Sequence, residues 1–185
     1  MRRPTLLLVC LALAGCVPPP ARVDSPRLEA LDKSYTVELP AGWIRQYTPD
    51  KNVVVSRDGF LLETLAVVRR PLKQAFQRTK KDVSETMLPS ELAELEIAEI
   101  KARDEQTAAL TVLENEPAVV SGEEGFRVRV AYRNPRGLEF HEEVHGVVDK
   151  SGLYLLVYRA PRLYYFPKYH PDFQRTVESF RIAAT

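Results

Sequence analysis

The sequence predicts an α+β fold, an antiparallel sheet of about six to seven strands covered by helices, on three observations. Apolar residues alternate with period two through most of the chain, in runs bracketed by Gly, Pro, Asn and Asp turns. Helical spacing is clear only twice, near 89–103 and near 171–180. The order is strand hairpins, helix, strand meander, helix, with none of the strict βαβ alternation that marks a parallel sheet.

Composition sets the outer bounds. The chain has 185 residues, and the part after its N-terminal segment is long enough for one core burying roughly two-thirds of the unfolded surface. Lysine and arginine total 26 and aspartate and glutamate 25, so global charge gives no reason to expect nucleic acid as a partner. The two cysteines, Cys10 and Cys16, both lie near the N-terminus, so no disulfide is expected in the domain.

Arg2 and Arg3 followed by apolar residues 6–13 have the form of a secretory signal. Its apolar core is far shorter than the roughly 20 residues a membrane-spanning helix needs. It ends in Leu13-Ala14-Gly15-Cys16, which resembles the lipobox of bacterial lipoproteins. That resemblance implies cleavage of residues 1–15, thioether lipidation of Cys16, and N-acylation with a palmitate-like chain. Two or three acyl chains anchor almost permanently, whereas one binds marginally. Val17, not Asp, follows the cysteine, which resembles sorting to the outer membrane. Residues 16–33, with Pro18, Pro19, Pro20 and Pro26, read as a flexible tether reaching about 50 Å at roughly 3.1–3.3 Å per residue. The domain is then expected over 34–185, with no further apolar run of membrane-spanning length.

Residues 34–39 alternate as a strand, Pro40-Ala41-Gly42 turns, and 43–47 return as its hairpin partner. A second hairpin joins 53–55 to 60–68 through Arg57-Asp58-Gly59. Residues 69–81 hold six basic side chains and no acid, a solvated loop or a patch for anionic headgroups. Pro89-Ser90-Glu91 opens a helix with Ser90 as N-cap. Leu92, Ala93, Leu95, Ile97 and Ile100 form its buried stripe, and Glu94, Glu96 and Glu99 face water. From 111 the period returns to two. Strands are expected at 112–120, irregular at Pro117, then at 125–133, 138–148 and 153–158, with tight turns at 134–137 and 149–152. The last helix takes Pro171 in its first turn and buries Phe173, Val177 and Phe180.

The opening strand into Leu39-Pro40-Ala41-Gly42-Trp43, the Gly125-Phe126 hairpin, and Tyr158-Arg159-Ala160 running on to Ser179-Phe180 resemble the PsbP-like family. The resemblance implies an α-β-α sandwich and a scaffold or assembly role, usually without catalysis.

One motif competes with that reading. His141-Glu142-Glu143-Val144-His145 matches H-E-x-x-H, in which two histidines one helical turn apart bind zinc and the glutamate polarises a water. The match requires a helix, and the flanking turns argue for a strand. On a strand His141 and His145 stand about 13 Å apart, too far to converge on one ion. A strand-borne His141-x-Glu143-x-His145 ladder remains the nearest thing to a metal set, with His170 or Glu178 as a nominal third ligand for the zinc motif. The polar side chains of this strand are expected to be exposed. Phosphate-cradling and dinucleotide-binding glycine patterns are missing, so no cofactor is expected. Arg159, Arg162, Tyr164, Tyr165, Lys168 and Tyr169 form an aromatic-basic connector that could line a groove. The sequence thus points to a non-catalytic, lipid-anchored, periplasm-facing protein, with the membrane and an envelope protein as partners and no catalytic residues. A small-ligand binding module and a zinc hydrolase on His141, Glu142 and His145 are the alternatives.

Overall fold

A computed structural model describes residues 19–183 apart from 31, 49 and 51. The signal segment, the lipobox and Val17 lie outside the described residues. The chain runs β1 (Ala21–Arg22), β2 (Arg27–Glu29), β3 (Tyr35–Glu38), β4 (Ile44–Tyr47), β5 (Val53–Ser56) and β6 (Thr64–Arg70). Helices α1 (Pro89–Lys101) and α2 (Glu105–Ala108) follow. The meander β7 (Thr111–Val120), β8 (Glu123–Arg133), β9 (Glu139–Asp149) and β10 (Gly152–Pro161) leads to α3 (Tyr165–Ser179) and β11 (Arg181–Ile182).

Eight strands pair in the order β1-β4-β5-β6-β10-β9-β8-β7, antiparallel throughout, and β11-β3-β2 form a separate three-stranded sheet. The α+β architecture matches the expectation, with a main sheet slightly wider than foreseen. The large sheet has a core on each side. Leu92, Ala93, Ile97 and Ile100 of α1 pack on Phe126, Val128, Val130, Phe140, Val144 and Leu155. On the other side Phe166 and Phe173 of α3, with Phe180 just beyond it, pack on Trp43, Leu65, Val67, Tyr154, Leu156 and Tyr158. Alternation along β10 supplies both cores: Leu153 and Leu155 face α1 while Tyr154, Leu156 and Tyr158 face α3.

Six local expectations need correction. The domain starts inside the supposed tether, because β1 pairs with β4, β2 pairs with β3, and Val23 is buried. The expected hairpin of 34–39 with 43–47 does not form. Val23 takes its place, donating to the Trp43 carbonyl at 2.7 Å and accepting from the Gly42 N–H at 2.9 Å. The turn therefore carries the chain from the small sheet to the large one, with Gly42 at φ 76°. Helix α1 begins at Pro89 with Leu88 as its cap residue, whose N–H donates to Glu91 at 3.0 Å. Two of its supposedly wet acids are buried: Glu96 accepts from Arg70 at 2.9 Å, and Glu99 accepts the Arg78 and Thr79 N–H groups at 2.9 and 3.0 Å. The basic loop and the acidic helix complete each other. Finally, α3 begins at Tyr165, so Pro171 sits inside it and leaves the Pro167 carbonyl without its helical donor. Phe173 and Phe180 are buried as expected, Val177 only partly. The irregularity of β7 falls between Val112 and Glu114, not at Pro117.

Candidate functional site

Strand β9 carries two adjacent buried glutamates, and a strand sends neighbours to opposite faces. Glu142 faces α1. Arg103, just past the end of α1, grips it bidentately at 2.8 and 2.7 Å, and the Tyr132 hydroxyl donates to it at 2.9 Å. Burial alone would raise its pKa, but these bonds outweigh burial and hold it below the usual carboxylate range. The same surroundings push the Tyr132 phenol up, through burial first and the Glu142 charge second.

Glu143 faces α3. His145 Nε2 lies 2.9 Å from one of its oxygens, His170 Nε2 lies 3.0 Å from the other, and Arg127 Nε donates at 3.1 Å. Again burial opposes ionisation and loses: the bonds from His145, His170 and Arg127 keep this carboxyl far below its ordinary range. Register explains the arrangement. Glu114, Arg129 and Glu143 lie directly opposite one another across β7, β8 and β9, and Glu116, Arg127 and His145 form the next row. Opposite charges face each other across the strands, a pairing worth roughly 0.2–1 kcal/mol per pair.

This geometry decides the H-E-x-x-H match. The segment is a strand, so Glu142 stands on the opposite face of the sheet from His141 and His145 and cannot serve a metal between them. His141 lies beside Glu139 at 3.6 Å and against the Phe166 ring, away from Glu143. Of the ladder His141, Glu143 and His145, the fold unites only the last two, and His170 of α3 completes the cluster. Among the described residues no group of three histidine, cysteine or acidic side chains is arranged to hold a metal ion. The expectation that these polar residues are exposed is also wrong. Glu143 is buried and His145 keeps only 14% of its side-chain surface, because α3 covers them, and His170 of α3, turned toward the sheet, keeps 18%.

The aromatic-basic connector divides. Tyr164, Tyr165 and Tyr169 surround the Lys168 ammonium, with ring centres 5.0, 5.8 and 4.6 Å away. Lys168 also pairs with Asp58 at 3.0 Å, to which the Tyr169 hydroxyl donates at 2.6 Å. Tyr169 and Asp58 thereby hold the Lys168 proton above the ordinary lysine range. Arg162 lies at the neighbouring turn, paired with Glu139 at 2.8 Å. Arg159 lies on the other face of the sheet, over the Phe140 ring at 4.5 Å and opposite Glu142. The expected groove is therefore a cage filled by the chain's own lysine. Sequence reasoning missed Asp58, which it read only as a turn residue, and Arg103 and Arg127 as partners of the two glutamates. The signal for Glu142 was its charge on an otherwise apolar face.

Comparison with known proteins follows the same lines. The sequence profile of the family described as PsbP matches residues 28–182. A comparison with curated protein sequences gave no match. The solution structure of cyanobacterial PsbP (CyanoP) from Synechocystis sp. PCC 6803 superposes with a TM-score of 0.61 at 12% identity, covering 85% of this chain and 91% of that one. A point mutant of the protein Mog1 superposes with a TM-score of 0.57 at 14% identity, covering 86% and 96%. LpqN, described as involved in cell envelope biogenesis of Mycobacterium tuberculosis, reaches a TM-score of only 0.40 at 11% identity, with 90% of each chain covered, too loose a likeness to argue from. At these identities the first two likenesses are of fold alone. Among the described residues no helix is long and apolar enough to cross a membrane.

Proposed function

The chain belongs to the PsbP family, and from that premise we propose that it is a non-catalytic lipoprotein of the bacterial envelope. On this reading it is anchored through Cys16, faces the periplasm, sits on the outer membrane in preference to the inner, and binds a protein partner in envelope assembly or maintenance. The observation that carries the reading is Leu13-Ala14-Gly15-Cys16 placed just ahead of a folded domain whose first strand opens at Ala21.

The candidate chemistry supports a binding body over a reaction centre. A general base needs a pKa near the working pH, and Glu142 and Glu143 are both displaced in the opposite direction by fixed partners. The lysine that fills the tyrosine cage likewise weighs against a small-ligand site there.

Mass spectrometry of the mature N-terminal peptide tests the anchor. A peptide beginning at Cys16 with diacylglyceryl and acyl mass is expected, and an unmodified peptide refutes it. Metal analysis of the purified protein tests the non-catalytic half. Stoichiometric zinc that disappears in His145→Ala would overturn it.

A further inference from the structure

The large sheet ends on two very different strands. β1 closes one edge with two residues, whereas β7 lays ten residues along the other, and among the described residues no strand pairs with its outer side. The turn after β7 fixes which backbone groups face outward. Ser121 and Gly122, at φ 59° and 86°, make a two-residue hairpin loop, so the flanking Val120 and Glu123 exchange hydrogen bonds. In alternation from there, Ala118, Glu116 and Glu114 bond inward to β8, and Val119, Pro117 and Asn115 turn their backbone groups outward. Pro117 therefore sits where its missing N–H costs the sheet no bond. The edge offers two donors, at Asn115 and Val119, and three acceptors.

The side chains beside this edge divide by face. On the α1 face Asn115 reaches Glu94 at 3.0 Å, and a cavity of about 130 Å³ opens between the start of α1 and the edge, lined by Pro89, Ser90, Pro117 and Phe126. A cavity of roughly 150 Å³ accepts benzene, so this one has room for an aliphatic side chain. Leu88 precedes it on the helix side and Val119 follows on the strand side, 61% and 72% exposed. On the α3 face the signs alternate across the sheet and stop on an acid: Glu143, Arg129 and Glu114 in one row, Arg127 and Glu116 in the next. Arg127 is shared among Glu114, Glu116 and Glu143, so its charge is compensated inside the sheet. Glu91, Glu94, Glu123 and Glu124 are exposed around the same edge.

We propose that β7 receives a short extended segment of a partner protein as a further strand of the sheet. Its aliphatic side chains lie on the α1 side, one of them in the cavity beside Pro117, and its lysines or arginines lie on the α3 side opposite Glu114 and Glu116. The inference rests on the protein-binding half of the function proposed above and names the chemistry of the partner. Main-chain bonds attract any extended chain, and the cavity and the acids supply the choice among them. A second copy of β7 fits poorly. Two-fold pairing centred on Asn115 sets Glu114 against Glu116, and centring on Pro117 opposes two residues that cannot donate. Pro117 and the irregularity between Val112 and Glu114 also bar a long added strand and leave a short one.

The test uses the mature lipoprotein in neutral detergent micelles, with hydrogen exchange resolved to single amides, and a capped seven-residue peptide alternating lysine and valine. Before peptide is added, the Asn115 and Val119 amides are expected to exchange fast and those of Glu116 and Ala118 slowly. The peptide should slow Asn115 and Val119 at least tenfold, and its counterpart with glutamate for lysine should bind at least tenfold more weakly. Ser90→Leu, which fills the cavity, and Glu116→Lys, which reverses a charge, each alter an exposed residue and should weaken the lysine peptide about tenfold. No slowing at the two amides, equal binding of the acidic peptide, or unchanged affinity in both variants overturns the proposal. Slow exchange at Asn115 and Val119 before any peptide is added overturns it too, and a dimeric mass then assigns the edge to a second copy. A photo-crosslinking side chain in place of Val119 or Leu163, in living cells, separates this inference from the reading beneath it. Protein adducts at 119 are expected. Adducts at 163 without any at 119 sink the added strand alone, whereas no adduct there or at any other exposed position sinks protein binding as well.

Discussion

Arg103→Ala tests how much of the fold depends on the charge under α1. Glu142 keeps 2% of its side-chain surface, and its Arg103 partner supplies two of its three hydrogen bonds. Removing one member of a buried pair costs about 3–5 kcal/mol because the other charge is left without compensation. Tyr132 still donates and the Arg159 charge still stands opposite, so the lower figure applies, about 3 kcal/mol. For a chain of this size that corresponds to a fall in Tm of roughly 6–12 °C. Trp43, the single tryptophan and 2% exposed, gives the fluorescence signal for urea unfolding. Arg103→Met combined with Glu142→Leu, which removes both charges and refills the volume, should lose less than the sum of the single changes. The exposed pair Arg162–Glu139 serves as the control, worth less than about 1 kcal/mol. A loss below about 1 kcal/mol in Arg103→Ala, or strict additivity in the pair, refutes the reasoning.

Glu142 and Glu143 have lowered pKa values in the fold, so the stability they lend is complete above the unfolded glutamate value of about 4.3 and is lost as pH falls through the folded values. Urea midpoints should therefore drop on acidification below roughly pH 5, and Glu143→Gln should flatten that dependence. Glu96 is raised by burial and works in the opposite sense, so Glu96→Gln should steepen the acid loss. Phe173→Ala, at a fully buried position under α3, should cost about 3–5 kcal/mol by denaturant titration. Gly125→Ala would drive a methyl into the Gly146 carbonyl oxygen between β8 and β9, and should destabilise by about 1–3 kcal/mol in the same assay.

What the sequence made legible was the long-period pattern. The turns at 134–137 and 149–152, with apolar strands beyond both, were enough to read 138–148 as a strand despite a metal motif written across it. The α1 stripe was readable for the same reason. What stayed hidden were short elements and distant partners. Two paired residues at 21–22 after a run of prolines leave no periodic signal, so β1 looked like tether. Glu96 and Glu99 have the spacing of a solvated helix face, and only the loop at 70–79, folded back beside them, makes them internal. Glu143 alternates correctly for an exposed position, but α3 arrives from 27 residues along the chain to cover it. Periodicity along one segment registers which side a residue faces and carries no information on what will later lie there.

The small sheet has a consequence in time. Strand β3, near the start of the domain, is held between β2 and β11, and Arg181 pairs with Thr36. The register cannot close until Arg181 and Ile182 have been made and reach Thr36 and Tyr35. In the lipoprotein proposed above, Cys16 would reach the membrane well before them. On that proposal the chain would be fixed to the membrane while its body is still unfolded, and would complete its fold already tethered. Loss of residues 180–183 would leave an open edge on β3 and Phe180 missing from the core, a substrate for proteases more than a shortened protein.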